Sequence, residues 1–423
     1  MAWTDYAINV GYHDPNWSVI ENFVDRCLEF SIDQQADAGM MGAASVQITL
    51  DNNDGALTPN NGGSYETLPW FESVLQINFL ISGGFARPMF AGMIIGFELR
   101  DDGVNSFVTL TAVDAFTVGG RSAVKQRATG TTYSSLGTMI EQLWSDPLGA
   151  DVIMPAAGWA YGAVVSDILD PAPTELELDY RLDNLNAGAA MDEVNANILP
   201  AGPGVILPTT FEQGTGAIPA TWSFVPADRM HRGSTNQTTF TFAENATTGE
   251  LPFRGLRRGY NIDEVTNSVQ LTPTLTGGTE QTATDSASIS QFGARNRLYI
   301  TADASNAQGL ESAENWVKRF ASVDFVAEQL QVTESMVTQQ RGTEITEWYD
   351  LLNVTKGWWN PAQVTYTPTG GTERTDTVLI TGRTISATPA DTTVTLQLRP
   401  LANYWCFTLD SATLGVLDQN RLG

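Results

Sequence analysis

Apolar and polar residues alternate along several short segments in the first 120 residues, with the period of two that is typical of half-buried strands. Short polar residues and glycine follow two of these segments, at 51–55 and at 101–103, where they favour tight turns. The alternating segments are Val46–Leu50, Leu75–Ile81, Met93–Leu99 and Val108–Ala112. Residues 1–120 are therefore predicted to form one antiparallel barrel or sandwich.

The period changes to that of a helix beyond residue 130. Leu136, Ile140 and Leu143 fall at helical spacing behind candidate N-cap serines, and a second helix is predicted near 186–199. A third helix is better defined, because Ser305 and Gln308 have the spacing of a capping box. Its apolar stripe consists of Leu310, Ala313, Val317, Phe320 and Ala321.

Other parts of this middle region show weaker patterns. Segments rich in proline, glycine and alanine, at 145–175 and 200–235, are predicted to be long loops. Strands are expected at about 238–243 and 260–273, and a loop over 274–290. Residues 121–324 are therefore interpreted as a mixed α/β middle domain with long loops.

Strand alternation returns from about Phe325 onward. Val378 and Ile380 mark one strand, and Val394, Leu396 and Leu398 mark another. These strands predict a second barrel over 325–400, followed by a C-terminal tail at 401–423. The predicted fold class is mainly β with minor α (α+β), with two antiparallel β-barrel domains flanking a mixed α/β middle region.

The composition argues against several classes of function. The chain has 423 residues, of which 42% are apolar, and a formal charge of −26. A surface this acidic repels the phosphate backbone, so sequence-specific nucleic-acid binding is not expected. No apolar run is long enough to span a membrane, and the start lacks a secretion signal, so the mature protein is expected to begin at residue 1.

Residues that could form a catalytic, redox or metal site are scarce. The two cysteines, Cys27 and Cys406, form no CxxC pair and are expected to be buried thiols, with a disulfide between them left open. Two histidines, His13 and His231, cannot form a multi-histidine zinc site. The turn at 51–55 fails the EF-hand pattern, although a calcium site built from scattered aspartates stays open. We therefore predict no catalytic residues, no cofactor and no metal ligands.

Two features are candidates for protein interfaces. Trp358 and Trp359, with Trp348 and Tyr349 nearby, could fill an interface, stack on a sugar or belong to an ordinary core. Arg295 could pair with a carboxylate or simply close a loop. Trp358, Trp359 and Arg295 are the predicted interface residues.

Five segments, taken in order, resemble the minor tail and hub proteins of siphophages, which are themselves similar to the baseplate hub of contractile-tailed phages. They are Ser45–Pro59, Pro88–Ile94, Tyr260–Val269, Ala287–Arg295 and Trp405–Asp418. None is a catalytic motif, and their order and spacing carry the resemblance. The long segments at 145–175 and 200–235 depart from the family.

The resemblance implies a structural subunit of a phage tail tip, with two hub barrels per chain and assembly into a ring, expected to be a trimer, around the DNA exit channel. The expected partners are other tail proteins, such as the distal tail ring and tip or fibre proteins. The expected location is the virion tail tip, after assembly in the host cytoplasm. A carbohydrate-binding or host-surface module and a tail-associated hydrolase are the alternatives.

Overall fold

The computed structural model describes the parts of the chain that form its sheets and helices. These are residues 5–12, 19–35, 43–66, 68, 70–81, 85–113, 131–133, 176–178, 204–210, 221–226, 239–259, 262, 265–273, 278–301, 306–322, 326–342, 345–354, 357 and 360–401. The statements below concern these residues.

Seven strands come from the first 113 residues, where the sequence predicts them. They are β1 (Tyr6–Tyr12), β2 (Val19–Asn22), β3 (Cys27–Gln35), β4 (Ala43–Asp51), β5 (Ser73–Ile81), β6 (Phe85–Asp101) and β7 (Ser106–Val113). Along β3 and β4 every second residue is buried, including Phe30, Ile32, Val46 and Ile48. The alternation read from the sequence therefore identifies the face of this sheet that forms the core.

The middle of the chain contributes short strand pairs. These are β8 (Thr131–Tyr133) with β9 (Leu176–Leu178), and β10 (Gly204–Thr210) with β11 (Thr221–Pro226), both antiparallel. The second pair corrects the loop predicted at 200–235. Residues 205–207 are apolar and 209–210 are threonines, which suits a strand better than the proline and glycine around them suggest.

Seven further strands of the large sheet come from residues 240–400. They are β12 (Phe240–Ala243), β13 (Leu251–Pro252), β14 (Arg254–Gly259), β18 (Val326–Thr333), β19 (Pro361–Tyr366), β20 (Arg374–Ala387) and β21 (Thr392–Pro400). Two helices, α3 (Glu334–Arg341) and α4 (Thr346–Leu352), lie between β18 and β19. The sequence interpretation of 325–400 as purely β missed both.

A small α/β unit lies between β14 and β18. Its three-stranded sheet has the order β16–β15–β17, formed by β15 (Ser268–Pro273), β16 (Gln281–Thr284) and β17 (Asn296–Thr301). Its helices are α1 (Ser286–Phe292) and α2 (Asn306–Phe320). The predicted loop over 274–290 was wrong, because it contains β16 and the start of α1.

Helix α2 confirms the third predicted helix. Ala313, Val317 and Phe320 are buried against β15 and β16, as the stripe predicts, together with Trp316. Leu310 is exposed and does not belong to that core. The predicted helices near 136–143 and 186–199 lie outside the described residues.

One large sheet joins strands from both ends of the chain. Its path runs β13–β12–β19–β20–β3–β4–β7–β6–β5–β1–β2, with β21, β18 and β14 branching from β20. The core beneath it is one cluster that includes Ile32 and Val46 from the first strands and Leu330 and Leu396 from the last. Among the described strands the ladder does not return to its start, so the two closed barrels expected from the sequence stay a prediction.

Candidate interaction surfaces

The strands at the two ends of the chain are connected in the same order. In the first half, neighbouring strands follow the order β1–β5–β6–β7–β4–β3, and in the second half β12–β19–β20–β21–β18–β14. Numbered along the chain within each half, with the short outer strands β2 and β13 left out, both are 1–4–5–6–3–2. One difference is the direction of the first strand, since β1 is antiparallel to β5 whereas β12 is parallel to β19.

The likeness extends to the register of the central hairpin. Ile94 pairs with Ala112 in the first half, and Ile380 pairs with Leu398 in the second, at the same separation along the chain. A β-bulge follows directly in both, and pairing resumes at a glycine, Gly96 or Gly382. The counterparts are therefore known residue by residue: Ile95 matches Thr381, Phe97 matches Arg383 and Leu99 matches Ile385.

The two halves join through β20. Its residues 382–387 pair with β21 on one edge and with β3 of the first half on the other. Ile385 lies opposite Ile32 in this junction, and both are fully buried. The junction therefore extends both the backbone ladder and the apolar core from one half to the other.

A buried arginine connects this junction to helix α4. The Arg383 Nε donates to Gln34 Oε1 at 2.5 Å, and its Nη1 donates to the carbonyls of Leu351 and Asn353 at the end of α4. Burial lowers the pKa of Arg383, while the three acceptors favour its charged form. Gly357 lies so close to Arg383 and the Leu351 carbonyl that a Cβ there would overlap both.

A second contact between the halves involves a buried carboxyl. The Tyr6 hydroxyl lies 2.5 Å from the Thr392 hydroxyl, which also bonds the carboxyl of Glu334. Glu334 is nearly fully buried, and one of its oxygens has no hydrogen-bond partner. Burial, reinforced by Asp5 and Asp391, raises the pKa of Glu334 to about 7. This contact is therefore sensitive to pH near neutrality.

The side of the sheet that faces away from the core is polar across the junction. Thr384 lies opposite Asp33 and bonds it at 2.9 Å, and Ser386 lies opposite Ser31. The half-buried or exposed residues of this polar face are Glu29, Ser31, Asp33, Ser45, Gln47, Thr49, Glu98, Thr109, Thr111, Gln329, Gln331, Thr384, Ser386, Thr393, Thr395 and Gln397. Neutral hydroxyl and amide side chains and three carboxylates form this face, with Arg100 and Arg254 at its margins and Arg257 opposite Gln329.

The polar side chains of the turn at 51–55 form hydrogen bonds and an ion pair within the protein. Buried Asn52 donates to the hydroxyls of Thr58 and Ser106, and its Oδ1 accepts from the Leu57 amide at 2.7 Å. Asp54 pairs with both Nη atoms of Arg26, at 2.9 and 2.6 Å, which lowers the pKa of Asp54 to about 2. No group of three or more metal-ligating side chains lies close together in the described residues.

Arg295 closes a loop through its backbone. Its amide donates to Asn267 Oδ1 at 2.7 Å, and its carbonyl accepts from the amides of Asn267 and Ser268. Asn267 also donates to Ser288 Oγ and to the Gly293 carbonyl. The segments around 267 and 293 are therefore tied together by one buried amide, and the role of the Arg295 side chain in an interface stays a prediction.

The structure describes two of the four aromatic interface candidates. Trp348 is buried in the core of the large sheet, and Tyr349 packs on Phe79 with ring centroids 5.4 Å apart, so neither belongs to an exposed platform. Trp358 and Trp359 lie outside the described residues, as do His13, His231 and Cys406. Cys27 is a buried free thiol, and burial raises its pKa to about 12. Among the described helices, none is long and apolar enough to cross a membrane.

Two solved structures resemble the chain over nearly its whole length. One is the 43 kDa tail protein of prophage MuSo2 from Shewanella oneidensis, with 12% identity, a TM-score of 0.54 and coverage of 94% of this chain and 99% of that chain. The other is the tail protein from Neisseria meningitidis MC58, with 11% identity, a TM-score of 0.52 and coverage of 94% and 99%. No protein-family model and no curated protein matches the chain. The chain thus has the fold of these tail proteins, as its resemblance predicted.

Proposed function

We propose that this chain is a structural subunit of a bacteriophage tail, a hub at the tail tip that assembles as a ring around the DNA exit channel. Its partners would be the tail tube or distal tail ring on one side and tip or fibre proteins on the other. The repeated strand order of the two halves carries this proposal. The fold shared with the two tail proteins supports it.

The repeat suits a part that joins rings of different symmetry. Each chain offers two similar halves, so a ring of three chains would present six similar surfaces. Such a ring could contact a six-fold tube on one side and a three-fold tip on the other. A trimer is therefore the proposed assembly.

The repeat also revises the proposed domains. The first half keeps its expected span within 1–120. The second half would begin near 239, because β12 and β14 occupy places in its sheet, and not at 325 as expected from the sequence. The α/β unit of 265–322 would then be an insertion between the second and third strands of that half.

The polar face of the sheet is the proposed lining of the channel. Its short hydroxyl and amide side chains offer DNA few cations, and its carboxylates repel phosphate, so DNA would pass without being held. The net charge of −26 agrees with a negative inner surface. Catalysis has no place in this proposal.

Labelling of intact particles tests the location. Antibody to this protein, imaged by electron microscopy, should mark the tail tip of particles, and particles lacking the protein should not be marked. Label on the head, or on no part of the particle, would contradict the proposal.

Placing cations on the polar face tests the channel. Particles carrying Gln47→Lys and Thr395→Lys should assemble but release DNA more slowly, and the delay should shrink as salt rises. Leu298→Lys, at an exposed site in the α/β unit, is the matched control and should release DNA normally. Unchanged release by the face variant at low salt would argue against a channel at this face.

A further inference from the structure

Besides the short outer strands β2 and β13, which end the path of the large sheet, two of its strand edges have no strand partner among the described residues. Beyond Met93, β6 keeps β7 on one side, but β5 has ended on the other. Strand β14 pairs only with β18. Unpaired backbone edges are templates for further strands.

The internal repeat indicates which kind of strand each open edge could pair with. The counterpart of the open part of β6 is residues 382–387 of β20, which pair with β3. The counterpart of β14 is β3 itself, since each pairs with the third strand of its half. The junction inside the chain is therefore made by the same two kinds of edge that are left open at its ends.

We propose that the open half of β6 (residues 95–101) pairs with β14 of a second copy of this chain, repeating the β20–β3 junction between copies. This inference rests on the proposed ring and identifies the contact that builds it. Because the two edges are different, the contact is head-to-tail, and each copy keeps one edge of each kind for its neighbours. The sheet would then continue around the ring, with the polar face on one side throughout.

Burial at matched positions supports this contact. Thr381, which directly precedes the internal junction, is 4% exposed, whereas its counterpart Ile95 is 37% exposed. Ile385 is fully buried, whereas its counterpart Leu99 is only half-buried. Phe71, 61% exposed, lies in a 3₁₀ helix that packs beside this part of β6. These apolar side chains lack the cover that β3 gives to the internal junction.

The open edge of β14 has the matching features. Leu256 is half-buried against the core, where the counterpart strand β3 buries Phe30 and Ile32 fully. Exposed Arg254 and Arg257 lie on this strand, in a chain with 22 basic and 48 acidic residues. The open part of β6 and its turn carry Glu98, Asp101 and Asp102 against a single arginine, Arg100. In the register of the β20–β3 junction, Arg257 would lie opposite Arg100, with Glu98 and Asp102 as its diagonal neighbours. Within its own chain, Arg257 also pairs with Glu328 at 3.3 Å.

A mixing experiment with the full chain tests the contact. Leu256→Glu blocks the β14 edge and Leu99→Glu blocks the β6 edge, while each variant keeps the other edge intact. We expect the wild type to form a closed assembly by light scattering, and each variant alone to have the mass of one chain, 45.8 kDa. The two variants mixed should form a one-to-one pair and nothing larger. Leu298→Glu is the matched control and should keep the wild-type mass.

Other outcomes overturn the contact. A wild type with the mass of one chain would do so, as would a Leu256→Glu variant with the wild-type mass. Self-association of Leu99→Glu alone would indicate a symmetric β14–β14 contact instead. Formation of the mixed pair itself requires both variants to be folded.

A second pair of changes alters only exposed side chains, in case the first pair does not fold. Arg100→Glu should strengthen association by about two- to fivefold, because it places a carboxylate opposite Arg257, and adding Arg257→Glu should remove that gain. No gain in Arg100→Glu, or a gain that persists in the double variant, would contradict the pairing. These measurements do not depend on the tail, so an assembly with this contact that gave no label at the tail tip would reject the proposed function alone.

Discussion

Replacing Arg383 by methionine tests how the two halves are held together. Methionine has a similar length and stays apolar, so it fills most of the space without donating hydrogen bonds. The substitution leaves Gln34 Oε1 and the carbonyls of Leu351 and Asn353 without their donor. Because the site is fully buried, water cannot replace the guanidinium without rearrangement.

The expected loss follows from two opposing effects. Each acceptor left unpaired costs about 1–3 kcal/mol, and the three together cost roughly 3–9 kcal/mol. Removing a buried charge recovers several kcal/mol of desolvation. We expect the unpaired acceptors to dominate, with a net loss of about 3 kcal/mol in the free energy of unfolding.

Urea unfolding followed by tryptophan fluorescence measures this loss. Arg374→Met, at an exposed position of the same strand, is the matched control and should change the free energy of unfolding by less than about 0.5 kcal/mol. Adding Gln34→Leu to Arg383→Met should recover about 1 kcal/mol, because one unpaired acceptor is removed. An Arg383→Met protein as stable as the wild type would refute the reasoning and show that the buried charge is a net cost.

Three further predictions concern single residues. The pKa of Glu334 is higher in the folded state than in the unfolded state, so the folded state binds this proton more tightly between about pH 4.5 and 7. The free energy of unfolding should therefore fall by about 3 kcal/mol as pH rises through this window. In urea titrations, Glu334→Gln should abolish this part of the fall. Asn267→Ala should destabilise the α/β unit by about 2–4 kcal/mol, measured by hydrogen exchange in α2, because it breaks several buried hydrogen bonds. Gly357→Ala should lower the unfolding temperature by several degrees, since its Cβ would overlap Arg383; an unchanged midpoint would contradict that packing.

The first half of the fold could be predicted from the sequence because its strands are half-buried. Along β3, β4 and β7 each alternation reports one core face and one polar face, as at Val46 and Ile48. Strand β5 differs, because Ser73–Phe79 are buried on both faces. Helix α4 was not predicted from the sequence. It is short, and the aromatic residues Trp348 and Tyr349 suggested an exposed cluster, although Trp348, Leu351 and Leu352 fall on one buried helical face.

The pairing of the halves could not be read from local pattern. Alternation identifies a strand but not its neighbour, so β12 was assigned to the middle domain, and β14 at 254–259 was not predicted as a strand. A trace of the repeat was nevertheless present, since Ile94 and Ile380 both stand two residues before a glycine at a bulge. Phe97 and Arg383 at the next position differ so much in chemistry that the match is visible only in the backbone.

The β3–β20 ladder also constrains the order in which the chain can fold. The hydrogen bond between Gln34 and Arg383 joins residues 349 positions apart, and closing such a loop costs roughly 5 kcal/mol of chain entropy. During synthesis, at about 5–20 residues per second, the edge of β3 would wait on the order of 20 to 70 seconds for its partner to leave the ribosome. The first half therefore emerges with an unpaired strand edge that can pair wrongly, and its sheet is completed only by residues made about 350 positions later.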